Sequence, residues 1–138
     1  MAFQKSYWLN VTEAIDVVNL KPDLRLAIRE SQVQDGFLIV TVPDGLGALL
    51  VAPVGLEKDR ELLRWLKEWQ LQKVEPPKRA YLSYLFGASL ALPLTKGEMS
   101  IDLNASVYLL DFTEVEKRRG WQITIFPEPT KPKEGRAR

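Results

Sequence analysis

The side chains that most often carry acid–base, nucleophilic or metal chemistry are missing from this sequence. Its 138 residues include no histidine and no cysteine. The absence of histidine removes the commonest general base and metal ligand, and with it any Ser-His-Asp hydrolase triad. The absence of cysteine removes disulfides, thiolate catalysis and cysteine-type zinc sites. Carboxylates therefore remain as the groups that could hold a hard cation or transfer a proton.

Two short segments carry only weak phosphate-binding signals. The segment Gly45-Leu46-Gly47 with Gly55 lacks both the GxGxxG spacing and the lysine of a phosphate-binding loop. The triplet Lys117-Arg118-Arg119 and the basic C-terminal segment could contact phosphate or RNA, but Glu114 and Glu116 dilute the positive charge. We therefore predict a solvated hairpin turn at the triplet, and nucleic-acid binding is our weakest hypothesis.

The composition is that of one globular domain. Hydrophobic residues make up 46% and charged residues 27%, and the formal net charge is +1. No overall field therefore favours nucleic acid, a membrane or a highly charged substrate. No apolar run approaches the roughly 18–20 residues that span a bilayer, and the N-terminus leads directly into a strand pattern, so we expect a cytoplasmic protein. Nine prolines and the lack of cysteine also fit a heat-adapted protein.

Hydrophobic periodicity predicts two strands, a helix, two strands and a second helix in the first half of the chain. Alternating and β-branched patterns indicate the strands, and one-sided apolar stripes indicate the helices. The predicted strands are Phe3–Leu9, Ala14–Leu20, Phe37–Val42 and Ala48–Ala52, and the predicted helices run from Pro22 to near Ser31 and over Leu56–Leu71.

The second half is predicted to be strand-rich. The strand-like stretches are Ala80–Leu85, Ser89–Leu94, Ser106–Phe112 and Trp121–Phe126, with a turn at Lys96-Gly97. Because no strand-helix-strand unit repeats, the order favours an α+β fold, a single-domain and mainly antiparallel β-sandwich with two helices. We assign residues 1–126 to this domain and expect residues 127–138, with three prolines and four basic residues, to form a flexible tail.

The second predicted helix carries two tryptophans, Trp65 and Trp69, about one turn apart. Such a pair could form an aromatic docking face. Its helical spacing is more typical of packing against the sheet or a neighbouring subunit, which is what we expect.

Two blocks of the sequence are similar to motifs of a known family. Residues 31–43, SQVQDGFLIVTVP, are similar to a family turn, S-G-V-x-D-G, that precedes an apolar strand. Residues 87–99, GASLALPLTKGEM, are similar to the motif G-S-S-L-x-V-P-V-x-x-G-x-L. Together they resemble the YjbQ family, also called the secondary thiamine-phosphate synthase family, over roughly residues 3–126. The resemblance implies a compact α+β fold and a homotrimer.

The resemblance does not extend to the polar positions of the family's site. Where the family has His-Thr-Thr this chain has Asp44-Gly45-Leu46, and where it has Asn-Glu this chain has Ala52-Pro53. The family's Ala-His-Leu is Ala80-Tyr81-Leu82 here, and its Leu-Gly-Thr-Trp-Gln is Ile101-Asp102-Leu103-Asn104-Ala105. Because the members of such a site act as a unit, their joint loss predicts that the family activity is lost, with no catalytic residue, cofactor or metal site remaining.

Three polar residues, Asp44, Asp102 and Asn104, fall where the family's pocket would be. Either they form an altered pocket that binds a small ligand such as a cation or an amine, or they are turn residues. Our first hypothesis is a catalytically degenerate homotrimer that binds a small molecule or an active paralogue, or is structural. The alternative is an enzyme with a rewired pocket, which acts on a phosphorylated thiamine-type precursor or uses a carboxylate-bound metal, with Asp44 and Asp102 as its working groups.

Overall fold

The described residues form two antiparallel sheets flanked by two α-helices. The computed structural model describes residues 2–11, 16–44, 47–73, 86–111 and 117–129. The strands are β1 (Phe3–Val11), β2 (Asp16–Asn19), β3 (Gly36–Thr41), β4 (Gly47–Pro53), β5 (Ser89–Thr95), β6 (Glu98–Met99), β7 (Ala105–Asp111) and β8 (Lys117–Pro127). The helices are α1 (Lys21–Ser31) and α2 (Arg60–Lys73), and a 3-10 turn (Leu56–Lys58) precedes α2.

The sheet topology is that of a sandwich. The larger sheet has the strand order β1-β8-β3-β5-β6, and the smaller sheet has the order β2-β7-β4. All the strand pairs between described residues are antiparallel. The prediction of an α+β, mainly antiparallel sandwich with two helices is confirmed.

The main core lies between the two sheets and α1. Alternate residues of β8, including Trp121, Ile123 and Ile125, are buried in it, and β7 contributes Val107 and Leu109. Helix α1 adds its apolar stripe, formed by Leu24, Ala27 and Ile28. The inward-facing residues of β7 and β8 therefore share the main core. Polar residues that continue these two inward faces are brought close together.

A second, smaller core covers the other face of the smaller sheet. Tyr108 and Ala48 are fully buried there, and Leu56 of the 3-10 turn and Leu66 of α2 pack against them. The odd and even residues of β7 thus face two different cores. This explains why its central part reads as a continuous apolar run and not as an alternation.

Two close backbone features depend on glycine. The β5–β6 hairpin turns at Lys96 and Gly97, both with positive φ (54° and 79°), as a two-residue turn between twisted strands requires. At Gly36 the constraint is space, since a Cβ atom would lie 2.0 Å from the carbonyl oxygen of Phe126 on the neighbouring strand. The predicted turn at Lys96-Gly97 is confirmed, whereas the two-residue strand β6 was missed.

Several predicted elements differ from the structure. The triplet Lys117-Arg118-Arg119 is not a hairpin turn but the first part of β8, where it pairs with β1. The predicted strand Ala80–Leu85 lies outside the described residues, as do residues 130–138 of the predicted tail. The beginning of that tail is held by the sheet, because Pro127 pairs with Gly36.

The helix tryptophans were predicted to pack against the sheet or a neighbouring subunit, and within one chain the sheet does not cover Trp65, whose side chain is 59% exposed. The side chain of Trp69 lies outside the described part of the structure. Neither described helix is long and apolar enough to cross a membrane.

Candidate functional site

A buried arginine lies between two carboxylates at one end of the main core. Arg119 is fully buried, and its Nε atom donates to Oδ2 of Asp111 at 2.6 Å. Its NH1 group forms a second ion pair with Oδ2 of Asp44. The side chain of Asp111 is fully buried, whereas that of Asp44 is 40% exposed. We call these three residues the arginine cluster.

Three elements position the cluster. Arg119 continues the inward row of β8 that begins with Ile125, Ile123 and Trp121. Asp111 is the last residue of β7 and continues the inward row of Val107 and Leu109. Asp44 stands in the turn that follows β3. A buried charge is tolerated only where an opposite charge and hydrogen bonds replace its hydration, which the two carboxylates do for Arg119.

The electrostatics of the cluster favour the charged guanidinium. Burial on its own lowers the pKa of Arg119, but the hydrogen bond and charge of Asp111, together with Asp44, raise it above its ordinary value. Arginine does not release its proton in proteins, so Arg119 cannot act as a general acid or base. What the cluster can do is fix the ends of β7 and β8 to the turn after β3.

The sequence contained a signal for this arginine. Reading the alternation of Trp121, Ile123 and Ile125 backwards by one more step places Arg119 on the inward face. The charge of the triplet Lys117-Arg118-Arg119 instead suggested a solvated turn. That interpretation is wrong for Arg119, which is buried because β8 extends four residues further towards the N-terminus than predicted.

The other two predicted site residues, Asp102 and Asn104, lie at the opposite end of β7. Both are exposed in the turn before Ala105, where Oδ1 of Asp102 accepts a hydrogen bond from the backbone N–H of Asn104 at 2.8 Å. Asp44, by contrast, adjoins Asp111 at the far end of the strand. Six residue steps of about 3.3 Å separate the two ends, so the two groups are about 20 Å apart within one chain.

The structure therefore does not bring the three predicted residues together within one chain. The residues at the family's Asn-Glu position, Ala52 and Pro53, lie with Asp102 and Asn104, because Pro53 pairs with Ala105. Tyr81 lies outside the described residues. A pocket that used Asp44 together with Asp102 would require a second subunit.

No group of three or more carboxylates that could hold a metal ion occurs in the described part of the chain. The arginine cluster has two carboxylates, and Arg119 lies between them. The two carboxylates hold a guanidinium and not a metal ion, since Arg119 already occupies the position where a metal ion would bind.

A second polar arrangement supports the 3-10 turn. The hydroxyl of Tyr108 accepts a hydrogen bond from the backbone N–H of Gly55 at 3.0 Å. The same hydroxyl, by hydrogen bonding, lowers the pKa of Glu57, and the backbone around Glu57 adds to this effect. Burial, and then the neighbouring Glu57, raises the pKa of Tyr108, so the hydroxyl keeps its proton as a donor.

The architecture is shared with several solved structures. A YbjQ-like protein of unknown function from Sulfolobus solfataricus matches with a TM-score of 0.78 over 93% of this chain and 99% of that chain, at 14% identity. The chain has the YjbQ fold. An uncharacterised conserved protein of the YjbQ/UPF0047 family from Clostridium acetobutylicum matches with a TM-score of 0.76 at 16% identity, over 88% of this chain and 99% of that chain.

A conserved hypothetical protein from Thermus thermophilus matches this chain with a TM-score of 0.64 at 21% identity, over 87% of this chain and 99% of that one. No protein-family model matches the sequence, and a search of curated proteins finds no significant relative. The fold inferred from the two sequence blocks is thus confirmed. A shared fold does not assign an activity.

Proposed function

We propose that this YjbQ-fold protein is catalytically degenerate and works as a structural or binding homotrimer. The observation that carries the proposal is the arginine cluster. The resemblance places the family's His-Thr-Thr at Asp44-Gly45-Leu46, and Asp44 is held there by the buried Arg119. A histidine at this position could transfer protons near neutral pH, whereas Asp44 is engaged in an ion pair with a group that keeps its proton. Asp44 therefore stabilises the fold at the position where the family has a histidine.

The separation of the polar residues gives independent support. Asp44 lies about 20 Å from Asp102 along β7, so the two carboxylates cannot act on one substrate atom within a chain. Asp102 and Asn104 have the geometry of an ordinary turn, in which the aspartate oxygen accepts from the backbone two residues later.

Support for a homotrimer comes from the outer face of the larger sheet. Phe37 and Phe126 stack there with ring centroids 4.9 Å apart, and Phe37 is 43% exposed. Pro93 pairs with Phe37 on the same face, and Trp8, at the edge strand, is 61% exposed. Trp8 pairs with Gly120 and Phe37 with Phe126, about 20 Å apart along β8, so exposed aromatic groups are spread over this face, which suits a subunit contact.

The alternative is an enzyme with a rewired pocket. The observation that favours it is the partial exposure of Asp44, whose side chain is 40% accessible although it pairs with Arg119. In an oligomer, a neighbouring subunit could bring its own Asp102 to this carboxylate.

Ligand-dependent unfolding distinguishes the two proposals. The wild type, Asp44→Asn and Asp102→Asn are unfolded thermally with thiamine phosphate, its pyrimidine and thiazole phosphate precursors, Mg²⁺ or Mn²⁺. A ligand at 100 times its Kd stabilises the folded state by about 2.7 kcal/mol. We expect no ligand shift that depends on Asp44, and a lower midpoint for Asp44→Asn without ligand, because that variant weakens the arginine cluster. A shift that Asp44→Asn abolishes would establish a rewired pocket instead, and its loss in Asp102→Asn as well would place a neighbouring subunit's Asp102 in that pocket.

A further inference from the structure

A cleft with a basic rim lies between α1 and the β5–β6 hairpin, at the end of the molecule away from the arginine cluster. Its volume is about 440 Å³, which is within the range of small-molecule sites. Ile101 and Leu103, from the segment that precedes β7, close one side. The cleft therefore adjoins the Ala105 end of β7, whereas the arginine cluster lies at the Asp111 end.

The rim of the cleft concentrates positive charge. Arg25 and Arg29 are exposed on α1 and four residues apart, which puts them about 6 Å apart on one face of the helix. Lys96 lines the cleft from the hairpin, and Lys21 lines it at the start of α1. Glu98 is the one acidic residue among the described lining residues, so four cations face one anion.

Three of the rim cations have no carboxylate partner among the described residues. Within the described ranges, Lys5 pairs with Glu30 and Arg119 pairs with two aspartates. Arg25, Arg29 and Lys96 form no ion pair with any residue of those ranges. An excess of unpaired cations in a concave site raises the local concentration of anions.

Lys21 has a second role at the cleft. Its Nζ atom donates to the carbonyl oxygen of Ala105 at 2.9 Å and to that of Leu103 at 3.4 Å. It therefore fixes the segment that closes the cleft against α1. The cleft is held in shape by the fold and does not require a ligand to form.

The floor of the cleft is apolar. Ile28 belongs to the main core, and Val33, Met99 and Ile101 are partly buried against that core. A ligand that filled the cleft would place an apolar part on these side chains and its charges on the rim. Inorganic phosphate alone would use only the rim.

We propose that this cleft binds a small organic anion with at least two negative charges, on phosphate or carboxylate groups, and an apolar part. The two guanidinium groups can each donate a pair of N–H groups to such an oxyanion. The cleft has the volume of a small-molecule site, which favours a small ligand over a nucleic acid. The proposal does not depend on the loss of catalysis, since the arginine cluster is about 20 Å away along β7.

The test compares two pairs of arginines with the same spacing on two exposed helix faces. The double variant Arg25→Gln/Arg29→Gln removes two charges from the cleft. The control Arg60→Gln/Arg64→Gln removes two exposed charges, also four residues apart, from α2. Binding of phenyl phosphate, phthalate and inorganic phosphate is measured by calorimetry at fixed ionic strength, and unfolding without ligand verifies that both variants are folded.

We expect the wild type to bind phenyl phosphate or phthalate more tightly than inorganic phosphate. Which of the two aromatic probes binds more tightly shows whether the cleft recognises phosphate or carboxylate. The cleft variant should lose at least tenfold in affinity, and the control should stay within twofold. Absence of binding to both aromatic probes, or an equal loss in both variants, would overturn the proposal. So would tight binding of a single-stranded oligonucleotide with no binding of the small probes, since it would assign the charge to nucleic acid.

Discussion

At the scale of single residues, the arginine cluster is the feature with the largest expected energetic effect. Removing a charged group from water costs several kcal/mol, which pairing and hydrogen bonds offset. Arg119 and Asp111 are both fully buried and compensate each other. Loss of either residue would leave the other as a buried charge with a missing partner.

We predict that Arg119→Met destabilises the protein by about 3–5 kcal/mol, because the buried Asp111 loses its guanidinium. Urea unfolding followed by tryptophan fluorescence measures this change. Arg118→Met is the matched control. Arg118 is exposed and lies 4.9 Å from the Trp8 ring, so its loss should cost about 1 kcal/mol or less. Equal midpoints for the two variants would contradict a structural role for the cluster and remove the main support for the proposed function.

Titration of Arg119 should not make the stability of the protein depend on pH near neutrality. The pKa of Arg119 is raised in the folded state, so its stabilising contribution is complete below the ordinary pKa of arginine. That contribution would be lost only as the pH rises through the raised value, beyond the range in which proteins are usually studied.

Glu57 gives a testable effect at acid pH. Its pKa is lowered in the folded state, chiefly by the Tyr108 hydroxyl. The ionised Glu57 therefore stabilises the folded protein above the ordinary glutamate pKa of about 4.3, and this stabilisation is lost as the pH falls through the lowered value. We predict that Tyr108→Phe costs about 1 kcal/mol at pH 7 and less at pH 3, as measured by urea unfolding. The same cost at both pH values would assign the loss to the Gly55 hydrogen bond alone.

At the scale of secondary-structure elements, the start of α2 shows what pattern reasoning could not locate. Apolar periodicity predicted a helix from Leu56, and the structure has a 3-10 turn over Leu56–Lys58 followed by α2 from Arg60. Asp59 separates them, and its Oδ1 accepts from the backbone N–H of Leu62 at 3.0 Å. Periodicity reports which face is apolar and not where the hydrogen-bond pattern changes.

This capping contact is open to a direct test. We predict that Asp59→Ala destabilises the protein by about 1 kcal/mol, because the first turn of α2 loses the acceptor for a free N–H group. Asp59→Asn should retain most of the stability, since asparagine caps nearly as well. Thermal unfolding of both variants checks this. An equal loss in both would indicate that the charge of Asp59, and not its hydrogen bond, stabilises the helix.

Long elements were predicted from the sequence better than short ones. The alternation of Phe3–Leu9 and the β-branched run after Gly36 predicted β1 and β3 well, because each covers several residues with one physical cause. Strand β6 has only two residues, Glu98 and Met99, which is too short to produce a pattern. The position of Asp44 relative to Asp102 was beyond the sequence, since it depends on how β4 and β7 pair.

At the scale of the whole molecule, the larger sheet has two unequal faces. Its inner face is covered by α1 and the smaller sheet. Its outer face carries the stacked Phe37 and Phe126, and both Phe37 and Trp8 remain exposed in the chain as described. A sheet face with exposed aromatic side chains is unfavourable in water, so the homotrimer implied by the family resemblance would place this face in a contact between subunits.

We predict a mass of 47.4 kDa by light scattering, which is three times the chain's 15.8 kDa. Phe37→Glu should shift this mass towards 15.8 kDa, because a carboxylate in an apolar contact is costly to desolvate. Leu26→Glu is the matched control, since Leu26 is 50% exposed on α1, away from the outer face. A monomeric wild type would contradict the trimer. A trimer that survives Phe37→Glu but dissociates with Leu26→Glu would move the contact to α1, next to the basic cleft, and the anion site would then lie close to a subunit boundary.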